Sequence, residues 1–171
     1  MSIEQHKAAA AKTPFGVAVI AVTDSRSPQD DRNTPLVTEL AIAAGHRVVV
    51  AKLLPNAVSA VQEELQDLLG RDDVDVVIFC GGTGFSPKDL TVDAVRPFLE
   101  REVEGFGELF RALSHAEVGT SAMLSRALGG VARRRAVFCL PGSPKAVKLA
   151  VERLILPELS HLLGQVRSLP E

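Results

Sequence analysis

A short glycine-rich segment, Gly81-Gly82-Thr83-Gly84, directly follows an apolar run of residues and has the composition of an anion-binding loop. Glycines leave backbone N–H groups uncovered by side chains, so a negatively charged ligand can approach them closely. The alternative interpretation is a tight turn that needs positive φ, which would be sufficient to explain a single glycine. Three glycines in four residues favour the binding of a phosphate-bearing ligand.

The polar residues after this loop could complete a phosphate site. Lys88 could contact a phosphate and Asp89 could hold a magnesium ion, while Ser86 and Thr91 supply hydroxyl groups. Alternatively, Asp89 and Thr91 cap the helix that follows. The loop lacks the Lys-Ser/Thr ending of a Walker A motif, and Pro87 occupies the last glycine position of G-x-G-x-x-G. Kinase-like and dehydrogenase functions are therefore disfavoured.

Two further polar loops follow apolar runs, Thr23-Asp24-Ser25-Arg26 and Pro141-Gly142-Ser143-Pro144-Lys145. Parallel strands end at the same edge of a sheet, so we expect the three loops to converge on one pocket. Region 102–130 adds more polar side chains, among them Ser114, Ser125 and Arg126. These could line the pocket, or they could form a solvated helix face with ordinary capping residues.

The pattern of apolar residues predicts strands that alternate with helices, which is typical of βαβ units on a mainly parallel sheet and of the α/β class. Region 102–130 is less regular, and it predicts helical pieces separated by glycines. The predicted strands are Gly16–Val22, 46–54, Val74–Cys80 and Arg135–Leu140, and the predicted helices are Leu36–Ala44, 58–68, Thr91–Leu99 and a closing helix that begins at Pro144.

Length and composition indicate one domain and exclude several partners. The 171 residues suit a single domain over 14–165, with a flexible lead-in of residues 1–13 and a tail of residues 166–171. The 19 basic and 21 acidic residues are interspersed, so no nucleic-acid partner is expected. No window is apolar enough for a signal peptide or a membrane span, so we expect a cytoplasmic protein.

Four motifs, GGTGFSPKDLT, REVEGFGELFR, GTSAMLSRA and LPGSPKAV, resemble those of the MoaB/MogA family of molybdopterin-binding proteins, in the same order and at the same separations. The resemblance extends from Phe15 to Leu163, and the second and third motifs favour the MoaB branch. It implies a three-layer α/β/α fold with a mainly parallel central sheet. It also implies a homotrimer or homohexamer and an adenylyltransferase that uses Mg²⁺ and the substrates ATP and molybdopterin.

The resemblance also implies roles for individual residues. Asp89 is the expected catalytic residue and magnesium ligand. The expected substrate-binding residues are Gly81, Gly82, Thr83, Gly84, Ser86, Lys88, Thr91, Ser114, Ser125, Pro141, Gly142, Ser143 and Lys145. The expected nucleotide-binding residues are Thr23, Asp24, Ser25 and Asp31.

Two segments depart from the pattern of the family. The chain has Asp31-Arg32-Asn33-Thr34 where the family usually has Asp-x-Ser-Gly, and Pro55-Asn56 where active members usually have Pro-Asp. These departures keep a second hypothesis open, in which the chain binds molybdopterin or a protein partner without turnover. A third, a sugar or nucleotide phosphatase, is disfavoured because no nucleophile motif is present.

Overall fold

The first strand, β1 (Gly16–Val22), is buried over all seven residues, as expected of a central strand in a parallel sheet. In this computed structural model, which describes residues 14–168, β1 lies between β2 (Arg47–Leu54) and β3 (Val76–Cys80) and is parallel to both. β6 (Arg135–Leu140) pairs in parallel with β3. The short strands β5 (Leu128–Ala132) and β4 (Arg101–Glu102) complete the sheet in antiparallel orientation, in the order β2-β1-β3-β6-β5-β4.

Six α-helices connect or follow these strands in residues 14–168. Short 3-10 turns extend α3 over Arg96–Phe98 and α4 over Gly119–Leu124, and a π-helical turn over Val151–Ile155 joins the last two helices. The helices are α1 (Asn33–Ala43), α2 (Val58–Leu69), α3 (Thr91–Val95), α4 (Glu104–Val118), α5 (Pro144–Ala150) and α6 (Leu156–Arg167).

Alternate residues of the central strands pack against different helices, which gives two apolar layers. Val17 and Val19 of β1 contact the cluster formed by α1, α4, α5 and α6. Ala18 and Ile20 face the opposite cluster, formed by α2 and α3. Because side chains alternate between the faces of a strand, the apolar run of β1 supports helices on both sides. The predicted three-layer α/β/α fold with a mainly parallel sheet is confirmed.

Region 102–130 is more regular than its sequence indicates. The predicted helical pieces include the 15-residue helix α4. The region also contains the strand β5, which the sequence did not predict. Gly129 and Gly130 weaken the strand signal of β5, yet close packing requires them. A Cβ atom at Gly129 would lie 3.0 Å from the rings of Phe106 and Phe138, and one at Gly130 would lie 2.6 Å from a methyl group of Leu99.

Several element boundaries differ from the predicted ones. α1 begins three residues before the predicted start, and the predicted helix Thr91–Leu99 divides into α3 and a 3-10 turn at Pro97, which lacks an N–H donor. α6 continues to Arg167, whose guanidinium bonds to Asp75. The predicted lead-in of residues 1–13 lies outside the described residues, as do residues 169–171.

The two cysteines lie on neighbouring strands but face opposite layers of the core. Cys80 of β3 packs with the α1 side and Cys139 of β6 with the α2 side. Both are free thiols, and burial raises the pKa of each above its ordinary value. Among residues 14–168, no helix has both the length and the hydrophobicity that crossing a bilayer would require.

The turn between β5 and β6 is strained. Arg133 and Arg134 are its two central residues, with φ of 44° and 63°, a conformation that favours Asn and Gly in such two-residue hairpins.

We expect the double substitution Arg133→Asn with Arg134→Gly to raise the free energy of unfolding by about 1 kcal/mol and the Tm by about 3 °C. Thermal unfolding followed by circular dichroism measures this. Replacement of both arginines by alanine is the control, because it removes the same side chains and keeps the strain; an equal gain in that control would contradict the explanation.

Candidate functional site

The carboxyl ends of β1, β3 and β6 surround a cleft of about 430 Å³. The chain leaves β1 toward the α1 side of the sheet and leaves β3 toward the α3 side, so the two loops separate at this point. Ligands in open α/β sheets bind at such a switch point. The three predicted loops do converge here: the cleft is lined by Thr23, Ser25, Arg26, Gly81, Gly82, Thr83, Gly84, Asp89, Ser121, Leu124, Ser125, Pro141 and Gly142, with the strand ends Ala21, Val22 and Cys80 beneath them.

The first two glycines of the loop are required by its path. Gly81 has φ of 111° and Gly82 has φ of 66°, which side chains strongly disfavour. A Cβ atom at Gly81 would lie 2.4 Å from the carbonyl oxygen of Val22, and one at Gly82 would lie 2.3 Å from Oγ1 of Thr91. Because neither position can carry a side chain, the loop crosses the end of β1 closely and leaves its backbone open to the cleft.

Asp89 is half-buried at the edge of this cleft. Its Oδ2 accepts a hydrogen bond from the backbone N–H of Ser86 at 2.9 Å. A Cβ atom at Gly84 would lie 2.7 Å from the same oxygen, so the absence of a side chain at Gly84 leaves room for the carboxylate. Among residues 14–168, Oδ1 is paired with no donor, and it is the oxygen left to a ligand.

The alternative that Asp89 and Thr91 cap α3 is not what the structure shows. The N-cap residue of α3 is Leu90, and no side chain caps the helix. Thr91 is fully buried; its N–H donates to the carbonyl of Gly82 at 3.0 Å, and its Oγ1 has no hydrogen-bond partner within residues 14–168. Thr91 therefore holds the glycine loop in place through its hydrogen bond to Gly82.

Ser86 and Lys88 are exposed on the loop and do not line the cleft.

The loop after β1 contributes only part of its predicted nucleotide-binding set. Thr23 and Ser25 line the cleft. Asp24 turns away from it, because its carboxylate accepts a hydrogen bond of 2.8 Å from the backbone N–H of Asn56. Asp31 is buried at the start of α1, where it accepts from the N–H of Asn33 at 2.9 Å and from the hydroxyl of Thr34. The carboxylate of Asp31 is therefore satisfied inside the protein.

The loop after β6 contributes to two adjoining cavities. Ser114, Ser143 and Lys145 lie on a second cavity of about 240 Å³, which shares Ser121, Ser125 and Pro141 with the first. Ser143 also caps α5, accepting from the N–H of Ala146 at 3.2 Å, as its position before Pro144 indicates. Phe110, Val118 and Leu149 give the second cavity an apolar wall.

Two arginines have roles that the sequence analysis did not assign. Arg26 lines the cleft, and its guanidinium donates to the carbonyl of Gly142 at 3.3 Å, which links the first loop to the third. Arg126 donates to the carbonyls of Gly84 at 2.8 Å and Asp89 at 2.6 Å. The signals in the sequence were the position of Arg26 in the polar loop after the first strand and the occurrence of Arg126 in the GTSAMLSRA motif among side chains that could line the pocket.

A doubly wound sheet with a glycine-lined cleft at its switch point is typical of the class of α/β proteins that bind small anionic ligands there. A family model described as "Probable molybdopterin binding domain" matches residues 18–161. The chain belongs to this family of molybdopterin-binding proteins, and the resemblance seen in its motifs is confirmed.

The similar proteins are of the MoaB and MogA types. The chain is 42% identical over 167 residues to "Molybdenum cofactor biosynthesis protein B" of Halalkalibacterium halodurans, covering 97% of this chain and 98% of that protein. A crystal structure of a molybdenum cofactor biosynthesis protein B superposes with a TM-score of 0.88 at 39% identity, over 92% of this chain and 98% of the other. The tungsten cofactor synthesizing protein MoaB of Pyrococcus furiosus has a TM-score of 0.77 at 32% identity, over 91% and 99%.

Alanine substitutions at the glycines of the cleft should lower the free energy of unfolding by different amounts. We expect Gly81→Ala to lower the free energy of unfolding by about 3 kcal/mol, because the new methyl group meets a backbone carbonyl at an unfavourable φ. Gly84→Ala should cost less than about 1 kcal/mol, because the Asp89 carboxylate can turn aside. Urea denaturation measures both. Gly105→Ala is the control, since nothing lies within 4 Å of its Cβ position; a Gly81→Ala protein as stable as this control would refute the geometry.

Proposed function

We propose that the chain acts in molybdenum cofactor biosynthesis by binding molybdopterin and adenylylating it with magnesium-ATP. The observation that carries this proposal is the cleft itself, in which glycine backbone and a single carboxylate meet at the switch point of the sheet. Membership of the molybdopterin-binding family supports the ligand, and the names of similar proteins support the pathway. A cytoplasmic location is part of the same proposal.

In the proposed reaction, an oxygen of the terminal phosphate of molybdopterin attacks the α-phosphorus of ATP. The bond between the α-phosphorus and the bridging oxygen breaks, and pyrophosphate leaves with the electron pair. No covalent intermediate with the protein is needed, so the protein mainly has to position two polyanions and neutralise their charge. The backbone amides of Gly82, Thr83 and Gly84 and the guanidinium of Arg26 are the groups of the cleft suited to this task, since the amide of Gly81 already donates to the carbonyl of Leu140 at 2.9 Å.

The residues of the cleft fit a magnesium ion that is shared with substrate phosphates. Mg²⁺ is usually held by one or two carboxylates together with waters and phosphate oxygens. Asp89 supplies one such carboxylate through Oδ1, while its Oδ2 is fixed by Ser86. Within residues 14–168, no group of three or more His, Cys, Asp and Glu side chains forms a complete cage. When bound, magnesium would neutralise phosphate charge, and Asp89 would hold it at the edge of the cleft.

The two cavities offer distinct subsites. The second cavity has an apolar wall for a flat heterocycle, and the hydroxyls of Ser114 and Ser143 are available at its border. Lys145 lies at the same border, where its ammonium can meet a phosphate. Thr23 and Ser25 line the first cavity and are the remaining candidates for nucleotide contacts. We therefore assign the pterin to the second cavity and the phosphates to the glycine loop of the first cavity.

A second candidate function is binding of molybdopterin without turnover, and two observations favour it. Asn56 carries an amide where a carboxylate would supply another magnesium ligand. Asp31, which was expected near the nucleotide, is buried at the start of α1. Both observations lower the negative charge available to a metal, and both leave the glycine loop unchanged.

A direct assay separates the two functions. Purified protein with molybdopterin, ATP and Mg²⁺ should form adenylylated molybdopterin and pyrophosphate, detected by chromatography. Asp89→Asn should lower turnover at least about 100-fold, because the amide cannot hold the cation, with little change in Tm. Asp72→Asn is the matched control, since Asp72 is an exposed carboxylate far from the cleft. No product from the wild-type protein, combined with tight molybdopterin binding, would favour the second function, and full activity of Asp89→Asn would remove Asp89 from the mechanism.

We also propose that the protein is a homotrimer or homohexamer. Leu109 and Val118 of α4 and Met123 and Leu124 of the following 3-10 turn are more than half exposed, at 57%, 56%, 73% and 59%. Such a group of exposed apolar side chains is typical of a surface that is covered in an assembly.

Light scattering coupled to gel filtration should give three or six times the mass of 18.2 kDa. A monomer at micromolar concentration would contradict this prediction.

A further inference from the structure

The segment that carries Asp89 is fixed by hydrogen bonds from another part of the chain. The guanidinium of Arg126 donates through Nε to the carbonyl of Gly84 at 2.8 Å and through Nη2 to the carbonyl of Asp89 at 2.6 Å. Its third nitrogen, Nη1, pairs with the carboxylate of Asp93 at 2.9 Å. One side chain therefore joins both ends of the segment Gly84–Asp89 to the first turn of α3.

Asn56 holds the same segment from the opposite direction. Its side-chain amide donates to the carbonyl of Lys88, the residue directly before Asp89. Its own backbone is fixed, because the N–H of Asn56 donates to Asp24 at 2.8 Å. The carbonyls of residues 84, 88 and 89 thus each accept a hydrogen bond from a distant side chain. Asn56 lies in the loop after β2, and Arg126 lies two residues before β5.

We infer that Arg126 and Asn56 are positioning residues that together hold the Asp89 carboxylate in the cleft. Neither side chain lines the cleft as residues 14–168 form it, so neither is placed to touch a ligand there. Both act on the backbone around Asp89, whose side chain has to meet a cation within a few tenths of an ångström. The catalytic part of this inference rests on the proposed function, and the structural part does not.

The chemistry of the two donors explains why these residue types occur at these positions. A guanidinium presents donors in a fixed fork and can bond two carbonyls and a carboxylate at once, whereas the ammonium of lysine is a single point. At position 56 the acceptor is a carbonyl, so the side chain has to be a donor. A carboxylate there has no proton to donate and would face both the Lys88 carbonyl and the nearby Asp24 carboxylate. In this chain the amide of Asn56 supplies that donor.

The alternative is that Arg126 serves only as a partner in an ion pair with Asp93. The Asp93 side chain is 58% exposed, and exposed pairs contribute little. The variant Asp93→Asn separates the two interpretations, because it removes the charge partner and leaves the carbonyl contacts of Arg126 intact. If the ion pair were the main role, Asp93→Asn and Arg126→Ala would have similar effects.

Hydrogen exchange tests the inference without requiring any activity. The amides of Ser86 and Asp89 are bonded to each other's residues inside the segment, and the amide of Thr91 is bonded to the carbonyl of Gly82 directly next to it, so these three amides report its opening. In Arg126→Ala and Asn56→Leu, exchange at these amides should be at least about ten times faster than in the wild type. In Asp93→Asn, and in Arg71→Ala, which removes an arginine paired with Asp73 far from the cleft, exchange should stay at the wild-type rate. Unchanged exchange in both Arg126→Ala and Asn56→Leu would overturn the inference.

Kinetics then test the link to Asp89. Arg126→Ala should lower kcat by about 100-fold and change KM for molybdopterin less than about threefold, because the substrate does not touch the guanidinium. Added guanidinium ion should restore part of kcat, whereas Arg126→Lys should not recover it. Asn56→Asp should lower kcat, although it introduces another carboxylate.

The two proposals fail in different ways. A wild-type protein that forms no product defeats the proposed function, and hydrogen exchange still decides the positioning role. If the wild type is active, a higher kcat in Asn56→Asp, or a wild-type kcat in Arg126→Ala, would overturn the inference. Loss of kcat in Arg126→Ala with recovery by guanidinium would support it.

Discussion

The constraint on which the cleft depends is the contact between the backbone at Gly81 and the carbonyl of Val22, where no side chain can fit. This contact allows the chain to leave β3 across the end of β1, and so it sets the path of the whole glycine loop. The cleft, the support from Thr91 and the room for the Asp89 carboxylate all follow from that path. The shape of the binding cleft at this edge of the sheet is therefore determined first by the path of the backbone, and the side chains fill the space that this path leaves.

The sheet could be predicted from the sequence because its central strands are buried on both faces. β1 and β6 have the predicted bounds, since a continuous apolar run leaves few alternatives for a parallel strand. β5 could not be predicted, because Gly129 and Gly130 reduce the strand signal and their reason lies in contacts with distant residues such as Phe106 and Leu99. Local patterns thus indicate the layers, and tertiary packing determines the antiparallel edge.

The candidate site was predictable to the extent that it depends on strand ends. The three loops meet, and Asp89 lies at the cleft, because parallel strands bring their carboxyl ends together. The roles of Asp24 and Asp31 were not predictable, since each is determined by a specific hydrogen bond rather than by position. Arg126 and Asn56 act on residues 42 and 32 positions away in the sequence, a distance over which no periodic pattern carries information.

The placement of the two thiols has a consequence for how the protein responds to its surroundings. Cys80 and Cys139 are on paired strands, but successive positions of a sheet face opposite sides, so their sulfur atoms are separated by the sheet itself. Burial also disfavours the thiolate, the form that reacts with oxidants. Although Cys80 directly precedes the glycine loop, its thiol at the floor of the cleft stays in the protonated form, and the two cysteines are not placed to form a disulfide that would reshape the cleft.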